Sequence, residues 1–158
     1  MLWPFKPRKP ASPCFSVGQY NIDATIDGLL GLKLLSRDEC SALNLEMTFE
    51  GQQLWHCPEV RFMDLQWNTI LGTVNRAIFK ISIQWEGFRH EAGEACRDIA
   101  IYCTKHYGKQ KDISFQGRDL TVWDASNGNI VFDMVNMGSE SLLNVTLTSR
   151  KVPLFRRI

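Results

Sequence analysis

The chain has 158 residues, of which 44% are hydrophobic, 11% aromatic and 22% charged, and its formal net charge is +1. Those values fall in the ordinary globular range and exclude collagen, coiled coil and long disorder. No stretch approaches the roughly 18 apolar residues of a membrane span, and the length suits a single domain that folds without a disulfide or metal staple.

Charge is segregated along the chain. Residues 1–13 carry Lys6, Arg8 and Lys9, residues 150–158 carry Arg150, Lys151, Arg156 and Arg157, and neither end holds an acid. The body, 14–149, sets eleven basic residues against all seventeen acids, a balance of −6. Its acids are densest between Asp23 and Asp64, with Asp23, Asp27, Asp38, Glu39, Glu46 and Glu50 as the candidate partner-binding groups. Such a body lacks the basic face of a nucleic-acid binder and is complementary to a basic protein.

Pro4, Pro7, Pro10 and Pro13 recur every third residue, the repeat of a polyproline II helix. Residues 1–13 therefore read as a basic, proline-rich tail and 14–158 as one domain. Prolines and basic residues interrupt every apolar pair at this end, so it has no secretory apolar core. The five cysteines, Cys14, Cys40, Cys57, Cys96 and Cys103, are odd in number and show neither C-x-x-C nor zinc spacing. That usage fits reduced thiols in the cytoplasm, with no metal and no cofactor expected.

In chain order, residues 15–22 read as a first strand and Asp27-Gly28 as a turn. The run from Leu29 to Leu35 fits a strand or a helical turn. Ser36-Arg37-Asp38-Glu39 has the form of a capping box, which predicts a short helix over about 37–43. Leu45, Met47 and Phe49 alternate with Glu46, Thr48 and Glu50 as a half-buried strand. Residues 53–57 are strand-like, Pro58 breaks the run, and 60–67 resume it. Phe79, Ile81, Ile83 and Trp85 alternate with Lys80, Ser82, Gln84 and Glu86, the clearest strand in the chain.

The main helix is expected over about 89–107. Ala92, Ala95, Cys96, Ile99, Tyr102, Cys103 and His106 recur at three and four. Glu91 and Glu94 suit its positive end, Lys105 and His106 its negative end, and Gly108 its C-cap. Two strands, 120–125 and 129–135, flank Asn127-Gly128, a strong two-residue hairpin signal that places Trp123 opposite Phe132. A turn near Met137-Gly138 leads to a last strand, 142–149. Runs of strands with few helices predict an α+β fold, with a mainly antiparallel sheet of about six to eight strands.

The chain contains no P-loop, no G-x-G-x-x-G after a strand, no G-x-S-x-G and no H-E-x-x-H. Cys103 and His106 lie three apart on one helix face and are the candidate nucleophile and its activator. His56 and Cys57 are adjacent in a strand, hence on opposite faces. Asp124 and Asp133 share a face of the predicted hairpin. Trp67, Trp85, Trp123 and Phe132 are the candidate lining of a small-ligand pocket, although aromatic residues also dominate ordinary cores.

Over residues 77–149, a strand ending in an aromatic, a helix ending in Tyr107-Gly108 and a Trp-containing meander resemble the build of some small bacterial single-domain immunity proteins, which bind and neutralise a toxin. The resemblance implies a non-enzymatic, immunity- or adaptor-like role and transfers no functional residue.

The expectation is thus a cytoplasmic, non-enzymatic domain that presents acids to a basic protein partner and binds neither nucleic acid nor membrane. A small-ligand pocket is the alternative, and a cysteine-dependent enzyme using Cys103 or Cys57 comes third. For acidic docking, association with the partner should slow as ionic strength rises. The double reversal Glu46→Lys/Glu50→Lys should weaken binding without unfolding the domain. Surface plasmon resonance over a salt series checks both, and a complex indifferent to salt and to the reversal rules out an acidic docking surface.

Overall fold

A computed structural model describes residues 13–35, 41–43 and 52–151. The proline-rich tail through residue 12, the capping box at 36–39 and the predicted strand at 45–49 lie outside the described residues. The elements are α1 (Ile26–Gly31), β1 (Ser41–Leu43), β2 (Gln52–Phe62), β3 (Leu65–Val74), β4 (Ala77–Phe88), α2 (Arg89–Tyr107), β5 (Lys111–Phe115), β6 (Arg118–Ala125), β7 (Gly128–Met137) and β8 (Glu140–Ser149). The strands form one antiparallel sheet in the order β1-β2-β3-β4-β8-β7-β6-β5. The fold is α+β, with one main helix and one short one.

Two meanders, β2–β4 and β5–β8, are joined in sequence by α2 and in space by the β4–β8 pairing. Alternation in β4 sends Ile81, Ile83 and Trp85 to the face that carries α2, where they meet Leu147, Val145 and Leu143 of β8. Lys80, Ser82 and Gln84 go to the other face, opposite Thr148, Thr146 and Asn144. The helix begins and ends where its periodicity predicts. It buries Ala92, Ala95, Ile99, Cys103 and Tyr107, a stripe that finishes on Tyr107 and leaves His106 exposed. Gly108 follows at φ 89°, its amide donating to the Thr104 carbonyl.

Residues 13–35 complete the apolar layer. Residues 15–22 do not extend as a strand: Val17 and Tyr20 close a tight turn through Gly18 at φ 55°. Phe15, Val17 and Tyr20 are nonetheless core residues. The Phe15 ring meets Phe62 and Tyr107 edge-on, each with centroids 5.9 Å apart. Asp27-Gly28 is not a turn but the first turn of α1, where the N-cap Thr25 hydroxyl accepts from the Gly28 amide at 2.9 Å. The short helix of the fold is therefore α1. Of the predicted helix 37–43, the part described, Ser41–Leu43, is strand β1, because its backbone pairs with Leu54–His56.

Pro58 does not end its strand. It sits at a bulge in β2, where the register shifts between Cys57 and Val60, so its missing N–H disrupts no regular ladder. The bulge in β4 lies at Phe79, between the pairs Gly72↔Lys80 and Thr73↔Ile78.

Three hairpins turn through residue pairs at positive φ: Met63-Asp64, Asn75-Arg76 and Gln116-Gly117. That is the I′ geometry matched to strand twist. The hairpin expected at Asn127-Gly128 is displaced. Ala125 pairs with Gly128, so Ser126-Asn127 is the turn, and Trp123 faces Ile130 while Phe132 faces Thr121. The reason is tertiary. Asn127 is held by the N-terminal segment: its Oδ1 accepts from the Phe15 amide at 3.0 Å and its Nδ2 donates to the Phe15 carbonyl at 2.8 Å. The Ser126 amide donates to the Pro13 carbonyl at 3.3 Å.

Gly128 is required for space rather than for positive φ, since a Cβ there would stand 2.2 Å from the Thr148 carbonyl oxygen. Gly128→Val should destabilise the protein by about 1–3 kcal/mol, as overpacking against backbone does. Gly128→Asn, which tolerates positive φ, should not relieve the loss. Urea denaturation of the two variants checks this, and a near-neutral Asn variant would return the turn to Asn127-Gly128.

Candidate functional site

On the face of the sheet away from α2, a cavity of about 280 Å³ opens over four adjacent strands. Strands β4, β8, β7 and β6 supply its floor, and Phe115 with Gln116 of the β5–β6 turn closes one side. The size lies just under the roughly 300–1,000 Å³ of ordinary ligand pockets. Two cross-strand rows build the floor: Ser82, Thr146 and Val131, then Gln84, Asn144 and Asp133. Ser82 and Thr146 hydroxyls satisfy each other at 3.0 Å.

Three charges line this cavity, and they are not equivalent. Asp133 is 8% exposed and forms an ion pair with Arg118, whose guanidinium remains half-exposed. That pair is internally neutral. Lys80 has no ion-pair or hydrogen-bond partner among the described residues. Burial holds its ammonium below the ordinary lysine range, with no acid among the described residues to offset it. Asn144 Oδ1 is buried, with essentially no accessible surface and no hydrogen-bond partner among the described residues. A cavity with an unpaired cation, an ion pair and an apolar wall of Phe115, Leu120 and Val131 has the composition of a polar small-molecule site.

The candidate residues from sequence lie elsewhere. Trp67, Trp123 and Phe132 are buried beneath α2 and the N-terminal segment, and Trp85 packs against the same core. The Trp67 indole donates to the Phe62 carbonyl at 2.8 Å and the Trp123 indole to Thr104 Oγ1 at 3.2 Å. These aromatics face the helix and line no part of the cavity, because strand parity sends them to the opposite face.

Cys103 and His106 are not assembled as a nucleophile and base. Cys103 is fully buried and burial pushes its thiol up to about 12, the reverse of activation. His106 is exposed and packs on Tyr102, ring centroids 4.4 Å apart. His56 and Cys57 do take opposite faces, Cys57 inward and His56 outward.

Of the acids, Asp27 is held bidentately by Arg76 at 2.7 and 2.9 Å, and Asp23 pairs with Lys151 at 3.1 Å. Both are therefore neutralised within the chain. Asp38, Glu39, Glu46 and Glu50 lie outside the described residues. Asp124 and Asp133 share the face away from α2, but they are not neighbours. Asp124 pairs with Lys111 at 3.1 Å, and Asp133 is buried rather than solvated.

Lys80, Arg118 and Asn144 carry no site signal in the sequence, and Asp133 enters there only as a face-mate of Asp124. The available signal is a lysine near the start of the clearest alternating strand and an aspartate between Phe132 and Met134. The contacts between them depend on strands up to 64 residues apart, as Ser82 and Thr146 are.

No group of three or more His, Cys, Asp or Glu among the described residues is arranged to hold a metal ion. No described helix is long and apolar enough to cross a membrane. No protein-family model, curated protein or solved structure matches this chain.

Because its folded-state pKa is lowered, Lys80 binds its proton less tightly in the folded than in the unfolded chain. The resulting penalty is complete below the lowered value and is relieved as pH rises towards the ordinary lysine value of 10.5. Lys80→Met should accordingly raise Tm at pH 7 by about 2–4 °C, with a smaller gain near pH 10. Differential scanning fluorimetry over that range measures it. A variant less stable than wild type at pH 7 would mean that the ammonium is paired in solution.

Proposed function

We propose that this protein is a binding domain that holds a small polar molecule on the helix-free face of its sheet. The observation that carries the reading is the half-open cavity lined by Lys80, Arg118 and Asp133, in which the Lys80 cation has no partner among the described residues. Leaving that ammonium partly buried and unpaired disfavours the empty folded state. A ligand that pairs with it offsets that cost. The site combines these groups with a hydroxyl pair and an apolar wall, the mixture that orients a small molecule. The buried Cys103 thiol, pushed up by its surroundings and lying on the other side of the sheet, does not support the cysteine-dependent enzyme.

A second reading is docking of a basic protein in a non-enzymatic, immunity- or adaptor-like role in the cytoplasm. It is favoured by the −6 balance of the body. The intramolecular pairing of Asp23 and Asp27 reduces what those two acids offer a partner.

The cavity reading is tested by filling it. Val131→Trp should abolish the binding of small polar compounds detected by saturation-transfer NMR. Val135→Trp, on the same face of β7 but outside the cavity, should leave it intact. Binding that survives Val131→Trp would move the site elsewhere.

A further inference from the structure

The proposal that follows rests on the ligand-binding reading above and assigns its chemistry. The Arg118–Asp133 pair is internally neutral. The charge left to meet a ligand is therefore that of Lys80, whose ammonium has no partner among the described residues. A cation would meet that ammonium with no free acid beside it among the described residues, because Asp133 is already engaged by Arg118. A neutral apolar molecule would leave Lys80 unsatisfied. An anionic group satisfies Lys80, whereas Asn144 Oδ1 has essentially no accessible surface and stays out of a ligand's reach. Asp133 keeps further lone pairs for hydroxyl donors while it holds Arg118. The carbon skeleton joining these groups would lie against Phe115, Leu120 and Val131.

We propose that the cavity binds a small hydroxylated anion, a sugar acid or a sugar phosphate in chemical class, with its anionic group on Lys80 and its hydroxyls on Asp133. The partly buried lysine, without a partner among the described residues, lacks what the anionic end of such a ligand supplies, and Asp133 accepts from its hydroxyls. The volume of about 280 Å³ suits a molecule of this size and excludes a polymer as the cavity's whole occupant.

Four probes that share a sugar-like skeleton test the assignment on the full chain at fixed ionic strength: gluconate, glucose 6-phosphate, glucose and glucosamine. Amide chemical shifts are followed in ¹H–¹⁵N correlation spectra. Gluconate or glucose 6-phosphate should shift the amides of Lys80, Val131, Asp133 and Asn144 saturably, and whichever binds distinguishes a carboxylate from a phosphate. Glucose and glucosamine should bind at least tenfold more weakly, the scale of one charge-assisted hydrogen bond. Lys80→Met should weaken the anion about tenfold or more, and Lys80→Arg should retain most of the affinity. Acetate and inorganic phosphate, which lack the hydroxyls, should bind more weakly than gluconate and glucose 6-phosphate.

If glucose or glucosamine occupies the same amides as tightly as the anions, or if Lys80→Met binds gluconate and glucose 6-phosphate as wild type does, the anion assignment is overturned while the cavity reading stands. If none of the four shifts any amide of this face, the assignment fails. The cavity reading then stands or falls on the Val131→Trp comparison.

Discussion

The pairing of β4 with β8 is the contact on which the rest of the structure depends. It joins two meanders that are separated in sequence by the whole of α2, and its register runs unbroken from Lys80↔Thr148 to Phe88↔Glu140. One register sets both faces. Ile81, Ile83 and Trp85 meet Leu147, Val145 and Leu143 beneath the helix, while Ser82 and Gln84 meet Thr146 and Asn144 on the opposite side. A slip of one residue would exchange the two sets and bury the polar row under α2. The hydrophobic core and the polar cavity are thus two consequences of a single alignment.

The apolar face is closed by two elements of different kinds. The helix covers β4, β8 and β6 through Ala92, Ala95, Ile99 and Cys103, and small side chains at two of those positions allow close approach. The segment through Phe15, Val17 and Tyr20 fills the remaining corner with aromatic contacts to Phe62 and Tyr107. Tyr102 and Trp67 extend the same edge-on cluster through Phe62, with centroids 6.0 Å apart in both cases. Such pairs contribute beyond their buried area. The N-terminal segment therefore belongs to the core although it contains no regular strand. It also reaches across to the β6–β7 turn, where Asn127 brackets the backbone of Phe15.

The opposite face is organised by charge. Its ion pairs, Arg118–Asp133 and Lys111–Asp124, each link β6 to a neighbouring strand. Lys80 stands apart from both. A lysine in that position costs stability, and substituting an apolar residue there would be a simple way to recover it. Natural proteins commonly accept such costs where a site must meet a ligand. Under the proposed reading, that asymmetry between paired and unpaired charge gives the cavity its preference for an anion.

Much of this was legible in the chain itself. The periodicity of 3.6 over 89–107, with Gly108 beyond it, delimited α2, and strict alternation over 79–86 assigned Lys80, Ser82 and Gln84 to one face of a strand. These are local properties: side-chain direction follows from backbone geometry within a few residues. The partners of a strand are not local. Asn127-Gly128 is a strong turn signal, yet the two hydrogen bonds of Asn127 to Phe15 and the close approach of Gly128 to Thr148 moved the turn by one residue and the pairing by two. Trp67, Trp123 and Phe132 carried the composition of a pocket but were drawn into the core, because burying large apolar area outweighs exposing it. Lys80 and Asp133 carry no motif, Asn144 only the glycosylation-acceptor match Asn144-Val145-Thr146 inside a strand, and their convergence exists only once β4, β7 and β8 lie side by side. The sequence by itself determined which side chains each element turns together. Only the tertiary structure decided which of those faces meet, since that choice rests on apolar burial summed over segments far apart in the chain.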